Sequence, residues 1–152
     1  MAAMVAVMIV VAAGVALAVS KVGTNGPNHI VGTDGVDQLY GLAGDDKIRG
    51  LEANDKEDGG RNADTLFGGI GNDDLRGGLG NDTAYGGNGA DHLFGQEGAD
   101  VLHGGDQADK VHVKDGVKGN DFASGGGGTH DDCYADSRNE IDKTTCEDIH
   151  LP

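Results

Sequence analysis

A nine-residue repeat of glycine and aspartate constrains this chain more than any other feature. The repeat runs from Gly32 to Tyr134 and is interrupted by a three-residue insertion at 113–115 and by a single residue, Gly125, before the last block. Gly occupies the first position and Asp the sixth in all eleven blocks. At this chain's composition, about two blocks would match by chance at either position, so the period predicts a stacked repeat structure. The sixth-position residues are Asp37, Asp46, Asp55, Asp64, Asp73, Asp82, Asp91, Asp100, Asp109, Asp121 and Asp131.

The eighth position of the block is apolar, whereas its two neighbours are mostly polar or aromatic. The apolar series runs from Leu39 to Cys133, and only Glu57 breaks it. Polar–apolar–polar alternation over three residues is typical of a short strand with one buried side chain. The Gly, Asn and Asp residues before it favour turns. A single block cannot bury its own apolar residue. We therefore expect an all-β fold in which two blocks per lap stack as a flattened parallel coil of two short-stranded sheets.

The charge of the chain indicates that such a coil needs cations. The formal net charge is −15, and 29 glycines without a single Trp are by themselves the composition of a disordered chain. Stacking would place the sixth-position carboxylates roughly 4.8 Å apart along each side, where they repel one another. Calcium accepts six to eight oxygen ligands in irregular geometry, which suits such a column better than magnesium does. Zinc and copper would require His or Cys at a ligand spacing that the period does not supply. The alternative is a solvated acidic face that folds without metal.

The block resembles the RTX (hemolysin-type calcium-binding) nonapeptide, Gly-Gly-x-Gly-x-Asp followed by x, a large apolar residue and x. Residues 64–82 and 91–109 fit this pattern throughout. The resemblance implies a right-handed parallel β-roll in which each calcium ion lies between turns two blocks apart. It also implies ligands of two kinds, Asp side chains and the main-chain carbonyls of glycines.

Carried onto this sequence, the resemblance gives a set of candidate calcium ligands. The carboxylate ligands are Asp37, Asp46, Asp64, Asp73, Asp82, Asp91, Asp100, Asp109 and Asp121, and the carbonyl ligands are Gly59, Gly68, Gly77, Gly86, Gly95 and Gly104. Lap-to-lap pairing limits the number of ions to nine, with the best sites expected between residues 59 and 109. Block 50–58 departs from the pattern at Leu51, Ala53 and Glu57, and we expect its lap to be distorted.

The first 20 residues carry no charged side chain and are almost wholly apolar. This favours a helical leader, either a signal peptide (residues 1–18) cleaved after Ala18 or an uncleaved membrane anchor. Both predict export, so the protein is expected to be extracellular, or membrane-anchored if the leader is retained. Residues 19–31 are expected to be an N-terminal linker or cap, 32–134 the roll, and 135–152 a C-terminal cap.

The two cysteines, Cys133 and Cys146, predict one disulfide in an exported protein. Such a bond would tie the cap to the open end of the roll and contribute about 3 kcal/mol. Two free thiols, or a zinc site with His130 or His150, are the alternatives.

No sequence feature indicates an enzyme. The chain lacks a Gly-x-Ser-x-Gly elbow, a His-Glu-x-x-His helix and a Walker loop, and its acidity argues against nucleic acid as a partner. The favoured interpretation is a small secreted calcium-binding protein, monomeric, that folds when it meets external calcium. The alternatives are a detached accessory module of an exported hydrolase and a cell-surface or adhesive element. The outward aromatic residues available for adhesion are Tyr40, Phe67, Tyr85 and Phe94.

Overall fold

The computed structural model describes residues 6–9, 17–117, 120–142 and 145–152, which form strands and turns and contain no helix. Within these ranges, nothing resembles a helix long and apolar enough to cross a membrane. The strands are β1 (Ala6–Ile9), β2 (Val19–Val22), β3 (His29–Val31), β4 (Gln38–Ala43), β5 (Lys47–Glu52), β6 (Lys56–Arg61), β7 (Thr65–Ile70), β8 (Asp74–Leu79), β9 (Thr83–Asn88), β10 (His92–Glu97), β11 (Val101–Asp106), β12 (Lys110–His112), β13 (Phe122–Gly126), β14 (Asp132–Tyr134) and β15 (Asp148–His150).

Successive strands alternate between two sheets. Sheet A has the order β1-β2-β4-β6-β8-β10-β12-β14-β15, and sheet B has the order β13-β11-β9-β7-β5-β3. Neighbouring strands are parallel except for β1, which is antiparallel to β2. From β2 to β12, paired residues are 18 apart, so that Leu39 pairs with Glu57 and Glu57 with Leu75. The predicted all-β coil with two blocks per lap is confirmed as a parallel β-solenoid of about seven turns.

Left-handed backbone at the second and fourth positions of the block explains the glycines found there. Gly69 and Gly71 have φ values of 120° and 142°, a region that costs a residue without Cβ nothing. Leu51 and Ala53, in block 50–58, adopt the same conformation at φ 99° and 72°. The pairing of β6 with β4 and β8 is unbroken, so the distortion predicted for this lap is not seen. The turns of the neighbouring laps impose the conformation despite its cost.

The core is a narrow double ladder of eighth-position side chains between the sheets. Sheet A contributes Leu39, Glu57, Leu75, Leu93, Val111 and Cys133, and sheet B contributes Ile30, Ile48, Leu66, Ala84, Leu102 and Ala123. Each of these residues is at most 1% exposed. Glu57 is the one acid among these core residues, and neither of its carboxylate oxygens has a hydrogen-bond partner in the described structure.

The helix predicted for the leader is not supported. Ala6–Ile9 form a strand that pairs with Val19–Val22, while residues 1–5 and 10–16 of the leader lie outside the described residues. A strand satisfies the main-chain groups at the edge of the first lap, which a helix would leave unpaired. Cleavage after Ala18 stays a prediction.

The solenoid begins earlier than the repeat count predicts. Residues 19–31, expected to be a linker or cap, supply β2 and β3, which pair in register with β4 and β5. Residues 23–31 (GTNGPNHIV) form a further block with Asn28 at the sixth position and buried Ile30 at the eighth.

The C-terminal tail also continues the coil. Ile149 in β15 pairs with Cys133, and Ile141 forms a bridge with Ala123. The predicted disulfide between Cys133 and Cys146 is present. The tail is therefore a cap made from an additional strand of sheet A, held covalently at the penultimate lap.

Two insertions shift the block boundaries near the C terminus. Val113 occupies a first position, because its N–H donates to Tyr134 as that of Gly32 donates to Arg49. Gly125 and not Gly126 is the first residue of the last block, because Gly126 pairs with Gly105, a second-position residue. The register is decided by these hydrogen bonds and not by the nearest matching glycine.

Candidate metal centres

The sixth-position aspartates form two columns, one leading into each sheet. The column of sheet A holds Asp37, Asp55, Asp73, Asp91, Asp109 and Asp131, and that of sheet B holds Asp46, Asp64, Asp82, Asp100 and Asp121. All of them are at most 8% exposed. The main-chain N–H of Asp64 donates to Oδ1 of Asp82 at 2.8 Å, and this lap-to-lap bond recurs along both columns. One carboxylate oxygen thus holds the register of neighbouring turns.

The second carboxylate oxygen has no such partner. Oδ2 is buried and lacks a hydrogen bond within the described structure in Asp46, Asp55, Asp64, Asp73, Asp82, Asp91, Asp100, Asp109, Asp121 and Asp131. A buried acceptor without a partner costs on the order of 1–3 kcal/mol, and more when it is charged. Ten such oxygens in one small fold indicate a ligand that the protein atoms alone do not supply.

The first-position glycines leave room beside these oxygens. A Cβ placed on Gly68 would stand 2.3 Å from Oδ2 of Asp73 and 2.7 Å from the carbonyl oxygen of Gly86. Gly41 shows the same arrangement with Asp46 and Gly59. A carboxylate oxygen of one turn and a carbonyl oxygen of the next therefore converge where any side chain would collide.

Five of the six predicted carbonyl ligands lie in such positions. They are Gly59, Gly68, Gly77, Gly86 and Gly104, whose carbonyls approach the turns of Asp46, Asp55, Asp64, Asp73 and Asp91, respectively. The carbonyl of Gly95, the sixth predicted ligand, is not among the three atoms nearest to a Cβ placed on Gly77, the first-position glycine of the Asp82 turn.

Burial raises the pKa of the ten carboxyls that carry an orphaned Oδ2 atom. The pKa of Asp64 rises from 3.8 to about 7, because desolvation outweighs the hydrogen bond from Asp46 and Asp82 adds like charge. The pKa of Asp82 rises to about 6 for the same first reason. These carboxyls would therefore be partly protonated near neutral pH unless a cation replaced the proton.

The first two turns are built differently. Oδ2 of Asp37 accepts hydrogen bonds from the N–H and the hydroxyl of Thr33, so it is already satisfied. Asn28 is held in the same way by the N–H of Thr24. A Thr at the second position thus supplies the hydrogen-bond partner that the other aspartates lack, and predicted ligand Asp37 does not join the orphaned set.

The turns nearest the C terminus differ from the others at the first position of the block. Val113 stands at the first position of the block of Asp121, although Oδ2 of this predicted ligand is orphaned like the others. Beyond Asp131, the side chain of Glu147 accepts the N–H of Asp131 as the next aspartate would, and the carbonyl of Thr145 takes the place of the next glycine's.

The profile of one protein family, described as RTX calcium-binding nonapeptide repeat (4 copies), matches residues 22–57, 58–84 and 85–117. These segments make up more than half of the chain. The chain belongs to the RTX family. The resemblance inferred from the nonapeptide is thereby confirmed, and this family binds calcium. The comparison with curated proteins found no match.

The donor set of this RTX chain fits calcium. No three His, Cys, Asp or Glu side chains converge as a metal cluster anywhere in the described ranges. Each site therefore offers few carboxylates and must be completed by main-chain carbonyls, which suit a hard cation tolerant of irregular geometry. Magnesium demands near-octahedral ligands, and zinc prefers nitrogen and sulfur.

Two aspartates were missing from the predicted ligands of this RTX chain. Asp55 and Asp131 carry orphaned, buried Oδ2 atoms like the rest. Their sixth-position identity was the signal that could have found them. It was outweighed by the unusual neighbours Leu51, Ala53 and Glu57 in one block and by Thr129 and His130 in the other.

Proposed function

We propose that this RTX chain is an exported protein whose β-solenoid folds around calcium ions bound between successive turns. The observation that carries the proposal is the set of ten buried, unpartnered Oδ2 atoms. Ionised, each would be an uncompensated buried charge, and such charges oppose folding strongly. Cations between the turns remove that cost and supply the partner that each oxygen lacks.

Calcium titration of the full chain tests this proposal directly. Far-UV circular dichroism is recorded at neutral pH in chelator, and then with increasing calcium or, as a control, magnesium. We expect a cooperative gain of β signal with calcium alone, at roughly the 10⁻⁴–10⁻³ M of extracellular calcium modules. A chain that is fully folded in chelator at neutral pH would overturn metal-coupled folding.

A pair of matched variants links that transition to the columns. Asp82→Asn keeps the shape of the side chain and the acceptor for the N–H of Asp64, but it removes the anionic oxygen. We expect the calcium midpoint to rise roughly tenfold, about 1.4 kcal/mol. Asp58→Asn removes the same charge from an outward, half-buried position of β6 and should leave the midpoint nearly unchanged. Equal shifts in both variants would mean that only overall charge matters.

Export is supported by the uncharged apolar leader and by the disulfide, a bond that persists in oxidising compartments. Calcium-coupled folding suits export as well, because cytosolic calcium is too low to fill sites of this class. Fractionation of producing cells with N-terminal sequencing tests it. A soluble extracellular chain beginning at Val19 indicates cleavage, a membrane-bound intact chain indicates an anchor, and a cytosolic chain contradicts export.

An adhesive role is the second candidate, because the outward rings are more ordered than isolated surface aromatics. Phe94, His112, Tyr134 and His150 stack along sheet A with centroid distances of 4.1–4.7 Å. Capture of cell-surface material by the calcium-loaded chain, abolished in chelator, would favour this candidate.

A further inference from the structure

On one sheet of this strongly acidic protein, the outward residues that flank the buried core position include no acid. The acids of that sheet, Glu52 of β5 and Asp106 of β11, lie at the ends of their strands. The outer face of sheet B is formed by the seventh- and ninth-position residues of its six strands, which flank the buried eighth. We call it the acid-free face, and its members are His29, Val31, Lys47, Arg49, Thr65, Phe67, Thr83, Tyr85, Val101, His103, Phe122 and Ser124. The corresponding face of sheet A carries Asp58, Asp74, Asp132 and Asp148. In a chain with net charge −15, this contrast marks the acid-free face as distinct.

Two cations at one end of the acid-free face lack acidic partners. Lys47 and Arg49 are exposed and lie over the ring of Phe67, at 5.3 and 5.1 Å from its centroid. Neither forms a salt bridge within the described structure. Arg76 on sheet A makes a similar contact with Phe94 at 5.8 Å, but it is paired with Asp74 at 2.9 Å. The charges of Lys47 and Arg49 are therefore available to an external anion.

An apolar groove adjoins these cations. Arg49, Leu51, Phe67, Gly68 and Gly69 line a volume of about 250 Å³. Leu51 is 38% exposed and the nearby Ile70 is 55% exposed, so apolar side chains border the groove at the protein surface. A site of this size is smaller than the roughly 300–1,000 Å³ typical of small-molecule sites, and it suits a single apolar side chain.

The rest of the acid-free face is a ladder of rings. Phe67 stacks on Tyr85 at 5.2 Å, Tyr85 on His103 at 5.1 Å, and His103 lies 5.6 Å from Phe122. The stacked faces cover one another, so the ladder presents ring edges and a rigid apolar strip to a partner. Rigid side chains of this kind lose little entropy when a partner binds.

We propose that the acid-free face docks a polypeptide partner that carries a carboxylate beside an apolar side chain. The carboxylate binds Lys47 and Arg49, the apolar side chain enters the groove between Leu51 and Phe67, and the partner continues along the ring ladder. Two cations are too few for an anionic lipid surface, which is recognised by clusters of about four to eight. They are likewise too few for nucleic acid.

The inference rests on the proposed function, because the acid-free face exists only in the folded solenoid. Calcium also favours docking in a second way. Each bound ion offsets two units of the net charge of −15, so an acidic partner is repelled less at long range. Circular dichroism in saturating calcium separates the two proposals: an unfolded chain contradicts the function, whereas a folded chain that binds nothing contradicts only the docking inference.

Nuclear magnetic resonance of the isotope-labelled full chain in calcium provides the test. The probes are the capped tripeptide acetyl-Leu-Glu-Leu-amide and its isosteric control acetyl-Leu-Gln-Leu-amide, titrated to millimolar concentration. We expect shift changes centred on Lys47, Arg49 and Phe67, and roughly tenfold tighter binding of the Glu peptide, as charge-assisted hydrogen bonds predict. Equal affinity for the two peptides, or shifts located elsewhere, would overturn the inference, as would no binding at all.

A matched pair of arginine variants completes the test. Arg49→Gln should remove the preference for the Glu peptide, whereas Arg76→Gln, at the salt-bridged arginine of sheet A, should preserve it. Both positions are on outer strand faces, so circular dichroism should show both variants folded. Equal loss in the two variants would indicate non-specific attraction. Sedimentation with phosphatidylserine vesicles, if it showed binding that depends on Arg49 while the peptides failed, would assign the acid-free face to a membrane and contradict a polypeptide partner.

Discussion

The two carboxylate oxygens of the repeated aspartate lie in different environments. Oδ1 accepts the N–H of the previous turn, while Oδ2 stays buried beside the first-position glycine of its own block. Where Thr33 fills the second position, Oδ2 of Asp37 is satisfied without a cation. The same residue type therefore has a hydrogen-bonded Oδ2 in one turn and an unpartnered Oδ2 in another, depending on one neighbour four residues away.

Gly68→Ala tests the first-position glycine. The added Cβ would meet Oδ2 of Asp73 at 2.3 Å and the carbonyl oxygen of Gly86 at 2.7 Å, so both oxygens must move. We expect the calcium midpoint, followed by circular dichroism, to rise roughly tenfold or more, because a site displaced by even a fraction of an ångström loses ligands. Gly26→Ala is the control, since its added Cβ would meet nothing within 4 Å. An unchanged midpoint for Gly68→Ala would place the ions elsewhere.

At the scale of the element, each strand contributes one side chain to the core ladder. A polar side chain at that position therefore lowers the packing stability of the neighbouring laps. Glu57 stands between Leu39 and Leu75 with both oxygens unpartnered. Burial raises the pKa of this carboxyl well above 4.5 and Asp73 and Asp55 raise it further, while the main-chain groups of Gly50 and Phe67 lower it by less. The solenoid accommodates Glu57 because hydrogen bonds to β4 and β8 hold the strand in register.

Glu57→Leu should therefore stabilise the protein. A buried leucine contributes about 2 kcal/mol relative to an exposed one, and the unpartnered acid disappears. We expect the free energy of unfolding of the calcium-loaded chain to rise by about 2 kcal/mol in guanidinium denaturation at pH 8. Glu52→Leu, at an exposed position of β5, should have little effect. Weaker calcium binding by Glu57→Leu would reveal the carboxylate as a ligand and contradict this account.

The cap strand β15 depends on the disulfide as well as on its pairing with β14. Replacing both Cys133 and Cys146 by Ala removes a cross-link between residues 13 apart. We expect a loss of about 3 kcal/mol in the chain-entropy model. Hydrogen exchange should show the loss first in β14 and β15, because solenoids fray from their ends. Uniform exchange across all laps would contradict a local cap.

At the scale of the whole molecule, the proposed calcium sites would make protons and calcium compete for the same oxygens. Eight column carboxyls have pKa values of about 6 to 7 in the solenoid, against 3.8 in the unfolded chain: Asp55, Asp64, Asp73, Asp82, Asp91, Asp100, Asp109 and Asp121. Between these values the folded state binds more protons than the unfolded state. The free energy of unfolding of the calcium-free chain therefore falls as pH rises from about 4 to 7.

Acid should consequently substitute for calcium. In chelator, we expect β signal at pH 5 that is lost at pH 8, measured by circular dichroism and urea denaturation. In the presence of calcium, the apparent affinity should fall as pH decreases through 7 to 6, because binding must displace protons. A calcium-free chain more stable at pH 8 than at pH 5 would show that the buried carboxyls are not protonated in the fold.

The sequence by itself determined the repeat, the two-block lap, the aspartate columns and the disulfide, because each follows from residue types at a fixed local spacing. Only the tertiary structure decided which members of the pattern behave alike. It added the laps of Asn28 and Glu147, moved a first position from Gly126 to Gly125, and set Asp37 apart from Asp55. It also showed that the outward residues flanking the core of sheet B include no acid. Most of these outcomes depend on contacts between residues about 18 apart, which the spacing within a single block does not contain. The difference at Asp37 comes instead from the hydrogen bonds of Thr33, four residues away.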